Sequence, residues 1–460
     1  MTRFPRPEPD PVRLALLALA LGTAHASDVR TQQDALASAE AARTPSASDA
    51  EVQEQLMQGV SGHIAVALAH NPAVQAAFAR WKATVHRAAQ ANQLPEPTLT
   101  IGAFARSVET RVGPQQARLG VQQALPWPTT LSAGQDAATA AAEAAHAQLD
   151  ATALAVSRAV SDAYWTLWQL RDARRLHRDH LDVLTGLSAT VGGRVKTGSA
   201  GFAGLQQVDL SHARLEDQIA SMDQQEQALA ARLRAVLGVQ TTAPIPTDVA
   251  PPPLWVPAED RTALTSAALA HPMLTMGTAR IHSAEATARV AAARRMPAFT
   301  VGADWILTGP SPMPDVEDSG KDAISVGLGV KVPLWQRAYG QGIAAAEAEA
   351  SALRSDQQTL EDQRVALLDG AIAAVLDSER RARVTETTLL PQAQAAYTSL
   401  LGAWATGDNA VAQAILAQRD LLDLQVRLTN ARADHARAWA ILDDLCGRPV
   451  VRTPAPEVLP

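Results

Sequence analysis

Residues 322–335 read DAISVGLGVKVPLW, and the alternation inside this stretch decides the fold. Ile324, Val326, Leu328, Val330 and Val332 fall on one side of an extended chain. Ser325, Gly327, Gly329 and Lys331 fall on the other, because successive strand residues point to opposite faces. The scheme recurs at 297–307 (PAFTVGADWIL), where Phe299, Val301, Ala303, Trp305 and Leu307 alternate with Thr300, Gly302 and Asp304. It recurs less cleanly at 97–106 (PTLTIGAFAR), through Leu99 and Ile101, and at 115–127 (QQARLGVQQALPW), through Leu119 and Val121. One such stretch describes an ordinary half-buried strand in a water-soluble sheet. Four of them, each about ten residues long, have the length that crosses an outer membrane on a tilt. The predicted membrane-facing residues are Leu99, Ile101, Leu119, Val121, Phe299, Val301, Ile324, Val326, Leu328 and Val330.

Composition narrows what surrounds these strands. Only 4 % of the 460 residues are aromatic and alanine dominates the apolar count, which suits long thin helices better than a thick globular core. A net charge of −7 with scattered charges offers no basic surface for nucleic acid. Cys446 is the single cysteine, so there is neither a disulfide framework nor a cysteine metal cluster, and it reads as a small buried residue.

Arg3, Arg6 and Arg13 precede an apolar run at 14–22 and then Ala24-His25-Ala26, the pattern of a signal peptide cleaved after Ala26. The run is about half the ~20 residues that a spanning helix needs. Residues 27–58 read as a flexible lead-in. A repeat then emerges at an offset of 200 residues: Ala67-Leu68-Ala69-His70-Asn71-Pro72 is echoed by Ala268-Leu269-Ala270-His271-Pro272, Arg80 by Arg280, Pro97 by Pro297 and Gly102-Ala103 by Gly302-Ala303. The predicted units are 59–242 and 258–447, joined by the proline-rich connector 243–257 and followed by a loose tail at 448–460. Each runs helix, strand, strand, long helix, turn, helix. Within them, residues 108–114 and 309–322 are expected to be loops between paired strands.

The long helices are predicted over 131–194 and 339–405, the second interrupted only at Pro391. About 63 residues make a rod of ~95 Å, some three times a bilayer's hydrocarbon thickness. Leu353, Leu360, Leu367 and Ala374 recur every seventh residue, which is coiled-coil spacing, and the intervening alanines allow close helix approach. Each rod reverses at a glycine-bearing turn, Lys196-Thr197-Gly198-Ser199 and Ala405-Thr406-Gly407-Asp408-Asn409, into return helices over 205–237 and 411–445.

The duplication, the His-Asn-Pro and His-Pro openings, Gln123-Ala124-Leu125-Pro126-Trp127, Val332-Pro333-Leu334-Trp335 and Leu389-Leu390-Pro391-Gln392 together resemble the TolC-type outer membrane factors from about residue 52 to 447. The resemblance implies a mainly α fold with β structure, in which three protomers each give four strands to one twelve-stranded barrel and their helices form a periplasmic tunnel. An oligomer follows from physics as well, since four strands leave two open edges in lipid. It further implies an exit duct for a tripartite pump, with a periplasmic adaptor (membrane fusion protein) and an inner-membrane pump, expected to be of RND type, as partners. The adaptor would meet the hairpin tips at Thr197, Gly198, Ser199, Thr406, Gly407 and Asp408. Aspartates that close the periplasmic end in the family correspond here to Gln413 and Leu416, which leaves Asp408, Asp209 and Gln413 as gate candidates. The openings and Leu94-Pro95-Glu96-Pro97 look most like the CzcC-like and CusC-like heavy-metal branch, with drug efflux and type I secretion sharing the same duct.

Other patterns carry less. His177 and His180, three apart among Arg174, Arg175, Arg178 and Asp179, read as a solvated helix face rather than a metal site. Gly198, Gly201 and Gly204 follow no strand, and Ser319-Gly320-Lys321 lacks the upstream glycine of a nucleotide loop. Trp127, Trp305 and Trp335 suit an interfacial girdle. No nucleophile and base pattern, paired carboxylate site or cofactor motif is present, so no enzyme and no cofactor is expected. A periplasmic adaptor would have one hairpin rather than two, and the remaining rival is an exported soluble coiled-coil protein with a small buried sheet.

Overall fold

Two units of the same design, one after the other along the chain, supply every long element. The computed structural model describes residues 29–42, 49–198, 201–240, 243–247, 250–405 and 411–455. The expected signal peptide lies outside the described residues. Helices α1 (Val29–Ala42) and α2 (Asp49–Leu56) precede the first unit, which comprises α3 (Gly59–His70), α4 (Pro72–Gln90), β1 (Thr98–Thr110), β2 (Gly113–Leu125), α5 (Pro128–Lys196) and α6 (Phe202–Leu237). A short strand β3 (Trp255–Pro257) leads to the second unit: α7 (Arg261–Leu269), α8 (Pro272–Ala293), β4 (Ala298–Thr308), β5 (Ala323–Lys331), α9 (Gln336–Val384), a π-helical turn (Thr385–Leu389), α10 (Leu390–Ala405) and α11 (Val411–Cys446), with β6 (Arg452–Pro454) at the end.

The repeated His-Asn-Pro and His-Pro motifs are helix starts. Proline sits at the first position of α4 and of α8, where its missing N–H costs nothing. The Asn71 side chain accepts from Ala73 N at 2.8 Å and His271 Nδ1 accepts from Met273 N at 3.0 Å, so each cap satisfies an orphan donor. The return helix of each unit ends against this same cap. Gly238 (φ +75) and Gly447 (φ +66) take the left-handed conformation after α6 and α11, and a Cβ on Gly238 would lie 2.6 Å from His70 O. Asn71 Nδ2 also donates to Val236 O at 2.6 Å, tying the start of a unit to its finish.

Several sequence expectations are corrected here. The lead-in is helical over 29–42 and 49–56: Val29, Gln32 and Leu36 of α1 are buried, Trp81 Nε1 donates to Gln32 Oε1 at 3.3 Å, and Lys82 pairs with Glu40 at 2.6 Å. Its buried stripe is only three residues long and one of them is Gln32, too little to stand out as an apolar period. The expected loop at 108–114 is a two-residue turn, Arg111-Val112, because β1 continues past a register shift between Ala103 and Val108 to pair Thr110 with Gly113. The tail is not loose, since β6 pairs antiparallel with β3 of the connector. His435, 1 % exposed, fastens that corner. Its Nε2 accepts from Trp255 N and from Trp439 Nε1, both at 3.0 Å, so Nδ1 carries the proton and faces Ser378 Oγ (3.1 Å) and Val375 O (3.2 Å).

Helix α5 has 69 residues, about 100 Å of rod. The second rod is broken into α9 and α10 by the π turn at 385–389, immediately before Pro391. Proline lacks an N–H and its ring collides with the carbonyl four residues earlier, so a widened turn is the least disruptive way past it. Near the hairpin tips Leu184, Leu187, Val191, Val208, Leu215, Ile219, Trp404, Ile415 and Leu422 form one core shared by α5, α6, α10 and α11. Cys446 is buried as expected, and burial pushes its thiol up to about 11. Among the described residues no helix is long and apolar enough to cross a membrane.

Candidate conduit and hairpin ends

The four long strands make one antiparallel sheet in the order β1-β2-β4-β5, so each hairpin keeps one strand unpaired on its outer side. The register joins the apolar residues into a single surface. Leu99 faces Val121 and Ile101 faces Leu119 between β1 and β2; Leu119 faces Trp305 and Leu125 faces Phe299 between β2 and β4; and Phe299, Val301 and Trp305 face Val330, Leu328 and Ile324 between β4 and β5. These are directly opposed pairs, which share a face of the sheet. All ten predicted membrane-facing residues therefore lie on one side. Ile324 and Val326 are each 78 % exposed and Ile101 76 %, so nothing among the described residues covers this part of the surface.

The opposite side carries Thr100, Gly102, Gly120, Gln122, Thr300, Gly302, Ser325, Gly327, Gly329 and Lys331. Arg118 and Asp304 meet on it at 2.9 Å, a pair that neutralises both charges. The aromatic residues mark the ends of the sheet. Trp127 and Phe299, 6.5 Å apart between ring centres, stand with the exposed Trp335 where the long helices begin. Trp305 stands toward the β4–β5 loop, with its indole N–H bonded to Asp322 at 2.9 Å.

At the far end of the rods, Thr197 and Gly198 (φ +72) close α5, and Thr197 Oγ1 donates to Arg194 O at 3.0 Å. Ser199, Thr406, Gly407 and Asp408 lie outside the described residues. Asp209, exposed on α6, accepts from Ser188 Oγ of α5 at 2.7 Å, and Gln413 is exposed near the start of α11. The two remaining gate candidates thus belong to different hairpins. Arg194 spans the hairpins, donating to Trp404 O at 2.9 Å with its guanidinium 4.3 Å from the Trp404 ring centre.

A polar seam between α5 and α11 escaped the sequence reading. Arg437 donates to Thr166 and Gln169, Gln169 to Asn430 (2.7 Å), Thr429 to Asp172 (2.6 Å), and Gln418 to His180 O. His180 Nε2 meets Gln425 Oε1 at 2.7 Å. His177 and His180 are 4 % and 8 % exposed, so the expectation of a solvated face is wrong. The arginines that suggested it, Arg174, Arg175 and Arg178, pair with acids on α5 and α6 and leave the histidines to the inter-hairpin side. Burial holds the His180 imidazole below its usual range. The signal available in sequence was the recurrence of polar residues at three- and four-residue steps, which ordinary solvated helices share. Among the described residues no group of three or more histidine, cysteine or acidic side chains is arranged to hold a metal ion.

A family model described as outer membrane efflux protein matches residues 64–239, the first unit from α3 through α6. Over those residues the chain is similar to the outer membrane efflux protein family. Among the curated proteins no sequence relative matches. Solved structures match over most of the chain. VceC from Vibrio cholerae is 19 % identical, with a TM-score of 0.70, over 85 % of this chain and 96 % of that one. CusC is 14 % identical, at 0.71, over 85 % and 92 %. The open state of the Neisseria gonorrhoeae MtrE outer membrane channel is 14 % identical, at 0.68, over 89 % and 94 %. An efflux protein of this family is a transport channel and not an enzyme, placed in the outer membrane with a periplasmic extension. Such channels are trimers that work with periplasmic adaptors and inner-membrane pumps.

Proposed function

We propose that this protein is the outer membrane exit duct of a tripartite efflux system, closing a twelve-stranded barrel from three copies of its four-stranded sheet. The observation that carries this reading is the sheet itself: two open edges and one predominantly apolar, exposed face. In water such edges invite aggregation, and in lipid every backbone group must be paired, so the sheet is stable only when closed on other copies. The apolar face then meets lipid, and the face with Arg118, Asp304, Gln122 and Lys331 lines the pore.

The tips at Thr197-Gly198-Ser199 and Thr406-Gly407-Asp408 are the proposed adaptor contacts, the inner-membrane pump is proposed to be of RND type, and Asp408, Asp209 and Gln413 are the proposed gate. Within this reading the cargo is a heavy-metal cation, a drug or a secreted polypeptide. Three measurements test it. Carbonate washing of membranes should leave the protein in the pellet and detergent should release a trimer; a soluble monomer would overturn the duct. Deletion strains grown on zinc, cobalt, cadmium, copper and silver against a drug panel assign the cargo, and a photo-crosslinker at Thr197 that never captures an adaptor would refute the tip contact.

A further inference from the structure

The upper halves of the two units form a layer in which α4 packs on α5, α5 on α8 and α8 on α9. A cavity of about 700 Å³ is lined by residues from all four helices at once. Neighbouring helix axes are 8–10 Å apart, so a flat layer would set α4 and α9 too far apart to share one cavity. We infer from the shared cavity that the layer is curved, with the cavity on its concave side. On the other side sits α1, which holds Lys82 through Glu40. Lys82 and Arg80 are two residues apart on α4, about 200° around the helix, which puts Arg80 on the cavity side. When curved layers close into a barrel, their concave sides become its interior.

That concave side is basic. Arg80 and Arg87 reach it from α4 and Arg280 from α8, with Glu349 of α9 as the acid among the lining residues. The rest of the wall is alanine, serine and threonine with Gln148 and Leu353. None of the three arginines forms an ion pair among the described residues, although most arginines of the long helices do, as in Arg174–Asp223, Arg289–Asp136 and Arg354–Glu285. Arg80 and Arg280 hold the same place in the two units, so the duplication delivers both to one wall. In a chain of net charge −7, an unneutralised cluster of this kind is a local feature and not an echo of composition. On the pore face of the sheet Arg118 and Asp304 cancel, and Lys331 adds to the positive side.

We propose that Arg80, Arg87 and Arg280 form a basic collar inside the tunnel that makes this duct favour anionic solutes over cations. The inference rests on the exit-duct reading, since only closure of the trimer turns the concave face into a lumen. Three copies would place nine guanidinium groups against three Glu349 carboxylates around one water-filled passage, where low-dielectric walls focus the field and enrich counter-ions. A free metal cation would be disfavoured at this level, and anionic organic molecules or anionic complexes favoured.

The purified trimer in planar bilayers under a KCl gradient at low ionic strength should show chloride permeating about threefold or more faster than potassium. The Arg80→Gln/Arg87→Gln/Arg280→Gln variant should lose or reverse that preference at unchanged trimer content. Should the periplasmic end conduct too little to read, binding of a trisulfonated pyrene dye, followed by fluorescence polarisation, provides the second readout. The wild-type trimer should bind the dye in a salt-sensitive way, and the triple variant at least about fivefold more weakly. Cation preference, or dye binding that the triple variant leaves unchanged, would overturn the collar while leaving the duct intact. A protein that neither trimerises nor enters membranes would overturn the duct itself.

Discussion

Two titratable residues, Asp150 half-buried and His271 buried, set opposing pH dependences. Asp150 on α5 has a buried Oδ1 without a hydrogen-bond partner, and burial pushes its carboxyl up to about 7. In the unfolded chain it ionises near pH 4. Between about pH 4 and 7 the unfolded chain sheds this proton and the native one keeps it, so Asp150 erodes stability as pH rises through that window. Asp150→Asn should therefore raise Tm at pH 8, by an amount equivalent to about 2–4 kcal/mol, and leave it unchanged at pH 4 in thermal melts. His271 works the other way: burial first, and the Arg364 charge second, hold its imidazole down at about 3. Its unfolded value is near 6.5, so stability falls as pH drops from there toward 3, by about 2 kcal/mol at pH 5. His271→Asn, which keeps a side chain able to cap α8, should flatten acid sensitivity between pH 6.5 and 4 when followed by chemical denaturation. A third residue is structural. His435→Phe would strand the Trp255 and Trp439 N–H groups in the core and should cost about 2–4 kcal/mol, read as a drop in Tm with detachment of β3 and β6 by hydrogen exchange.

At the scale of elements, the strands were legible from a two-residue period, and the register gathers their apolar residues on one face, where a one-residue slip would have split them. Element ends were less so. β1 runs on to Thr110 because pairing with β2 continues beyond the register shift, and pairing is not a property of either strand alone. The π turn before Pro391 shows the same limit: the sequence marks the obstacle, and the fold chooses how to pass it. A charge on the apolar face separates lipid from solvent directly. Leu328→Arg, in the middle of β5, should cost about 2–4 kcal/mol if that face meets the bilayer centre and deplete trimer from the outer membrane fraction. Gly327→Ser, one residue along and on the opposite face, has open space for its side chain and should assemble normally.

For the whole molecule, the seam between α5 and α11 and the basic concave wall of the upper layer were both invisible in the sequence. The seam pairs residues more than 230 positions apart, such as His180 with Gln425. The basic wall gathers Arg80, Arg87 and Arg280 from helices that look solvated one at a time. The seam joins the hairpins together with the apolar core near the tips and the Arg194–Trp404 contact, so substituting Gln425 and Asn430 together with alanine should loosen α11 against α5. Faster hydrogen exchange in α11 over 418–430, with the sheet unaffected, is the expected outcome.

By itself the sequence determined the duplicated unit, the two faces of the strands and the length of the rods, because each is written in a local period of two, of three to four, or of 200 residues. Only the tertiary structure decided which polar side chains are buried between hairpins, that the N-terminal segment and the tail are fastened, and that three distant arginines share one cavity. Those depend on which helix faces come together, and the faces are chosen by packing between elements far apart in the chain.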